Sequence, residues 1–161
     1  MIGGIRRERG PDFRIGWHLS IERYGLRLEE LREMTAEIFD RELIDYLDLA
    51  VCDYHQIVQE GSFRGRTLLN VFTDLPRNGG AAGRIRSAGR ATRLLDEGCD
   101  FVLIGRAGIL ERNCPVLVES DASHESPALP VPADFLRKGG LSERFIDHLR
   151  GWGDVVRPGS L

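Results

Sequence analysis

The feature that most constrains this chain is a hydrophobic pattern that changes its period. From Phe13 to Ser20, Phe13, Ile15, Trp17 and Leu19 fall on one face and Arg14, Gly16, His18 and Ser20 on the other. A period of two specifies an extended strand. From about Leu28 the period becomes helical. Leu28, Leu31, Met34 and Ile38 recur on one side, with Glu29, Glu30, Glu33 and Glu37 outside. Ile44 to Val51 then reads as a second strand. Strands separated by helices of this length build βαβ units and hence a parallel sheet.

The pattern continues downstream. Cys52 to Gly80 is a long connection with one short amphipathic stretch, Thr67 to Phe72, and connections of that length are often functional. Ser87 to Glu97 is expected to be a helix, capped by Ser87 and stopped by Gly98, with Ala88, Ala91, Leu94 and Leu95 as its buried stripe. Asp100 to Ile104 is a nearly continuous apolar run that suits a strand covered on both faces. Leu47, Leu49, Phe101 and Leu103 are expected beneath the chain's own helices, and Val102 and Ile104 on the opposite face. Glu111 to Gly140 is Pro-rich and reads as irregular. Leu141 to Arg150 is a last helix, with Leu141, Phe145, Ile146 and Leu149 inward. The expectation is an α/β fold forming one domain over 1–161, with 111–161 an irregular tail ending in a helix.

At 161 residues, the chain has room for about four parallel βα units. A closed (β/α)8 barrel takes ~250 residues. The opening run, Ile2 to Arg9 followed by Gly10-Pro11-Asp12, reads as the end of a helix, its stop and the next strand. The chain is therefore expected to start within a helix whose own preceding strand is missing.

Composition excludes several classes. A net charge of -3 gives no general attraction to nucleic acid or anionic membrane. No run approaches the ~18 apolar residues of a membrane span, and Arg6, Arg7 and Arg9 have no apolar stretch behind them to make a signal peptide. Three cysteines without metal-ligand spacing suit a reduced, cytoplasmic setting. No Gly-x-Gly-x-x-Gly follows a strand, which removes support for a dinucleotide-binding Rossmann unit, and no Walker-type phosphate loop is present.

The run from Gly98 to Ala107 carries the most chemistry. An apolar strand ends in Gly105-Arg106 and passes into a short helix. Glycine lets the backbone approach a ligand, N–H groups at a helix start attract phosphate, and arginine adds a planar, permanently charged fork. About twenty residues earlier, Gly83-Arg84 precedes the helix at Ser87. Two such corners on adjacent strands would form one phosphate cradle, as barrels build after their last strands. The other polar candidates read more plainly. His55, His124 and His148 have no partners at ligand spacing and suit solvated positions, so no metal is expected. Asp45 and Asp48 point to opposite faces and read as strand-end anchors. Cys52 lacks an evident base, and Trp152 suits local packing.

Taken in order, Phe13 to Ser20, Tyr24-Gly25-Leu26, Ile44 to Leu49, Gly83 to Ser87 and Phe101 to Arg106 resemble the old yellow enzyme family, the NADH:flavin oxidoreductases. The tail, from Ala128 to Val131 and on to Asp147, also resembles a bacterial branch of it. The match resembles barrel strands five to eight, so it implies an α/β chain that is the C-terminal half of a TIM (β/α)8 barrel. It implies FMN as cofactor, NAD(P)H as reductant and a small-molecule acceptor such as an activated alkene. It places Gly83, Gly105 and Arg106 at the FMN phosphate, with Arg84 beside them where the family often has Gly or Lys. It places His18 where an arginine normally reaches the flavin ring. Histidine is shorter and less reliably cationic there. Pro76 to Ala82 lacks the β-branched run of the seventh barrel strand. The family's substrate-binding His-His or His-Asn pair, its proton-donating Tyr and much of its flavin bed belong to its first half, so no catalytic residue is expected here. A homo-oligomer or a complementing N-terminal half-barrel is the expected partner. The alternative is an inactive half-barrel that only binds phosphate or associates.

Overall fold

The computed structural model describes residues 2–21, 25–59, 61–75 and 78–158. Tyr24, Pro76 and Arg77, invoked above, lie outside them. Contacts divide the chain into two compact units, Met1–Arg84 with Thr92–Leu103, and Ile85–Ala91 with Ile104–Leu161.

In the first unit, helix α1 (Ile2–Arg9) precedes strand β1 (Gly16–Ser20), helix α2 (Leu28–Asp40), strand β2 (Tyr46–Ala50), helix α3 (Leu68–Phe72) and strand β3 (Gly79–Ala81). Helix α4 (Ala88–Asp96) leads to strand β4 (Phe101–Val102). The four strands form one sheet in the order β1-β2-β3-β4, every pair parallel. Parallel neighbours cannot be joined by a tight turn, and the helical crossovers predicted from the sequence supply the connections. The protein is therefore α/β with an all-parallel sheet in sequential order. β3 is short, as its Gly79-Gly80-Ala81 sequence implies, because glycine has neither side chain to pack nor preference for extended backbone.

Register sorts the side chains into two faces. Leu19 pairs with Leu49, Leu49 with Ala81, and Ala81 with Val102. These four share a face, and Leu19, Leu49 and Ala81 are buried. His18, Asp48, Gly80 and Phe101 share the other. This corrects the sequence assignment of Phe101 and Val102, which have exchanged faces. Strand phase in an unbroken apolar run cannot be read from polarity, because no polar residue marks the outer positions. Phe101 and Val102 are also only half-buried, so β4 is not a strand covered on both sides.

The second face is filled from within the sheet. The ring of Tyr46 lies over Gly16, and the ring of Phe101 lies over Gly80; a Cβ at either glycine would collide with the neighbouring ring. The two rings meet edge to face with centroids 5.9 Å apart, a favourable quadrupole arrangement.

Helix α2 buries Leu31 and Thr35, whereas Met34 is exposed. Thr35 can take the core position because its hydroxyl donates to Leu31 O at 2.6 Å. Arg32 Nε donates to Val71 O at 2.9 Å and ties α2 to α3. In α4, Leu94 is fully buried, but Leu95 is exposed. At the strand N-termini, Asp45 accepts from the Ile15 N–H at 2.7 Å and from Arg6 at 2.9 Å, with Arg14 at 3.3 Å.

In the second unit, the stretch expected to be irregular contains two helices, α6 (Cys114–Ser120) and α7 (Ala133–Lys138). Each is under two turns or close to it, too short for a periodic stripe to stand out from the prolines around it. They accompany α5 (Arg106–Leu110) and α8 (Glu143–Arg150). Leu110, Val131, Leu136, Ile146, Leu149, Val155 and Val156 make one buried cluster. Ser142 caps α8, its Oγ accepting from Phe145 N at 3.3 Å. Ile146 and Leu149 point inward as expected, but Phe145 is exposed and stacks on His148. No helix among the described residues is long and apolar enough to cross a membrane.

Two outcomes follow. Leu31→Ala should cost about 2–5 kcal/mol in urea unfolding, the scale of a core truncation, and Met34→Ala within about 0.5 kcal/mol. The Ile15 N–H first, and then Arg6, hold the Asp45 carboxyl below its usual range. Its folded pKa is depressed, so its stabilisation is present above the ordinary aspartate range and is lost as pH falls through the folded value. Asp45→Asn should therefore flatten the acid limb of a stability–pH profile; an unchanged limb would refute the linkage.

Candidate functional site

Parallel α/β sheets collect ligands at the C-terminal ends of their strands. In the first unit, that end carries His18, Gly83 and Arg84. His18 Nδ1 lies 2.6 Å from Asp48 Oδ2, because the β1–β2 register sets the two residues side by side. A carboxylate only accepts, so Nδ1 carries the proton and Nε2 is left for the exposed side. His18 is 67% exposed at its side chain and Asp48 only 14%. The second oxygen of Asp48, Oδ1, is buried with no hydrogen-bond partner among the described residues. Sequence reading missed Asp48 as a partner. The two residues sit at matching phases of their strands, but only the register makes them neighbours.

Gly83 follows β3 with φ +124°, and an added Cβ would lie 3.1 Å from Val51 O and 3.3 Å from Tyr54 N. Backbone conformation and space both require glycine here. Arg84 continues the turn with φ +51° and an exposed side chain. A non-glycine residue in this left-handed region is uncommon.

In the second unit, Gly105 stands at the start of α5, exposed, with nothing within 4 Å of where a Cβ would point. The first N–H groups of α5 have no partner inside the helix. Arg106 is half-exposed and pairs with Asp154 Oδ2 at 3.1 Å. Asp154 thus competes for the charge that would meet an anion.

Of the three histidines expected to be solvated, His148 is exposed, but His55 and His124 are partnered. His55 Nε2 lies 2.9 and 3.1 Å from the Glu97 oxygens, and His124 Nε2 lies 3.0 Å from Glu111 Oε2. Both pairs bridge residues distant in sequence, so spacing could not reveal them. No group of His, Cys, Asp and Glu among the described residues could hold a metal ion. A cavity of about 430 Å³ lined by Arg14, Asp45, Tyr46, Asn78 and Phe101 opens at the strand N-termini, away from the end where such sheets take ligands.

No protein-family model matches the chain, and no curated protein matches it.

Gly83→Ala should destabilise by more than about 1 kcal/mol, since a left-handed glycine position combined with a backbone contact leaves no room to relax. Chemical denaturation measures it; a loss within error would mean that the turn refits.

Proposed function

We propose that this chain is the FMN-carrying C-terminal half of a (β/α)8-barrel NAD(P)H:acceptor oxidoreductase of the old yellow enzyme type. The observation that carries the reading is the sheet order. Four parallel strands follow one another in chain order with no reversal, as a barrel wall requires. A doubly wound sheet instead reverses direction at its ligand crevice. The resemblance of Phe13–Ser20, Ile44–Leu49, Gly83–Ser87 and Phe101–Arg106 supports the same reading.

FMN, when bound, supplies the centre that accepts hydride from NAD(P)H and passes it to a small-molecule acceptor. The chain supplies binding and orientation. In the second unit, Gly105 leaves space at the start of α5, and the free N–H groups there and the Arg106 guanidinium suit a phosphate. In the first unit, Gly83 and Arg84 form the turn after β3 that the resemblance assigns to the cofactor. His18, its Nδ1 held by Asp48, would present Nε2 to the flavin ring. Histidine lacks the permanent charge that arginine brings at this position in the family, so His18 would stabilise reduced flavin less. The resemblance assigns the proton donor to the complementary half, which the reductase reaction would need.

The test separates phosphate from ring. Arg106→Ala should weaken FMN binding by roughly 1.5–3 kcal/mol, the scale of a charged hydrogen bond, and leave riboflavin almost unaffected. Asp154→Asn should tighten FMN by releasing Arg106. Equal losses for FMN and riboflavin in a fluorescence titration would sink the phosphate assignment. The purified chain with added FMN should show no NAD(P)H:enone reductase activity; clear turnover would overturn the division of labour.

A second reading, an inactive association module, is favoured by the exposure of Tyr46 on the sheet face away from the buried leucines. It predicts a dimer or larger by light scattering, with no FMN binding. A flavin-free monomer at micromolar concentration would exclude it.

A further inference from the structure

The sheet ends in two unlike edges. β4 has two residues, Phe101 and Val102, and a strand that short offers another chain little to pair with. β1 has five, Gly16–Ser20, and among the described residues no strand adds to its outer side. It lacks the devices that blunt an edge, since it holds no lysine and no proline and its register with β2 runs without a bulge. Its outward backbone groups can be identified. Leu47 N donates to Asn78 O, and Leu49 O accepts from Ala82 N, both at 2.9 Å, so these two residues of β2 turn toward β3. Backbone direction alternates along a strand, so Asp48 turns toward β1. His18 lies beside Asp48, so Trp17 and Leu19 supply the groups that meet it. Ile15 O, accepting from Asp45 N at 2.7 Å, keeps the same phase. Gly16, His18 and Ser20 therefore point their N–H and C=O groups away from the sheet, where no described residue meets them.

Such a row is matched by another extended backbone, and β1 is complementary to itself. Two copies related by a twofold axis through His18 would run antiparallel, with His18 opposite His18, Trp17 opposite Leu19 and Gly16 opposite Ser20. The outward groups then pair in phase. His18 exchanges both its bonds with its counterpart, and Ser20 N–H donates to Gly16 C=O in each direction. Trp17 and Leu19 fall at the positions between these bonds, where side chains approach most closely. Trp17 is half-buried in the single chain, so its remaining apolar surface gains a leucine. On the other face, the space over Gly16 is filled by the Tyr46 ring, and the residue brought beside it is the small Ser20. Joining β1 of one copy to β4 of another would rest on a two-residue ladder and leave an edge open at each end. Like-with-like pairing uses the longer edge of both copies and closes.

We propose that the outer edge of β1 is an interaction surface for a second copy of this chain, joined antiparallel about His18 into one continuous sheet. The partner copy thereby brings its own His18–Asp48 pair beside the first, so each candidate site gains a residue from the other subunit. The inference rests on the association reading; in a flavin-binding barrel the complementary half would take the same edge. Sedimentation of the purified chain at micromolar concentration should show a dimer. Ser20→Pro removes an outward N–H and leaves the bonds between β1 and β2 in place, a position where an edge strand tolerates proline. It should weaken dimerisation by about tenfold or more, since each dimer loses two hydrogen bonds, and keep cooperative thermal unfolding. If that variant fails to fold, His18→Lys sets like charges opposite each other and should also yield monomer. Under mild oxidant, His18→Cys should form an interchain disulfide between the two substituted positions, mapped by mass spectrometry, because Cα atoms of such a pair lie about 5.5 Å apart. A monomeric parent chain would overturn both the association reading and this interface. A dimer undiminished by a folded Ser20 or His18 variant, or one in which His18→Cys forms no such disulfide, would leave association standing and overturn the β1 edge.

Discussion

Parallel strand register is the constraint on which the rest of this structure depends. It sets Leu19, Leu49, Ala81 and Val102 in one row and His18, Asp48, Gly80 and Phe101 in another. A slip of one residue between β1 and β2 would bring Asp48 into line with the leucines and uncover the core. Burial of Leu47 and Leu49 at 2% and 4% exposure makes that slip costly. The His18–Asp48 pair is thus a by-product of apolar burial on the opposite face. Its geometry is as firm as the leucine row behind it.

What could be read from the sequence follows from the same distinction. β1, α2, β2 and α4 were legible because apolar and polar residues alternate at a single period in each. α8 was legible in place, with Ile146 and Leu149 correctly inward. The misplacements share a cause. Met34, Leu95 and Phe145 are apolar residues at the margin of a stripe, where a side chain can turn outward without breaking the pattern. Thr35 took a core position because it could satisfy its hydroxyl locally, which a hydropathy pattern cannot show. α6 and α7 were hidden by prolines and by their length.

The candidate site divides in the same way. Gly83 was legible as a residue type at a strand-to-helix corner, and its left-handed backbone gives that choice a physical reason. Gly105 and Arg106 were legible as a motif. Their electrostatic setting was not, because Asp154 lies nearly fifty residues downstream of Arg106. Asp48, Glu97 and Glu111 each meet a histidine that sequence spacing left solitary. Charge pairing between elements is a tertiary property, and a single sequence carries no trace of it.

The rings over Gly16 and Gly80 have a consequence for how this sheet can change. Each ring occupies space that a neighbouring strand has vacated, so tyrosine 46 and glycine 16 form one unit of variation, and phenylalanine 101 and glycine 80 another. A side chain acquired at either glycine evicts its ring. A ring lost from either strand leaves bare backbone that a larger residue opposite could reclaim. Single substitutions at these four positions are therefore penalised more heavily than paired ones. Because the two rings also touch, the two units are themselves linked. Diversification of this surface has to proceed by concerted exchange across all four strands.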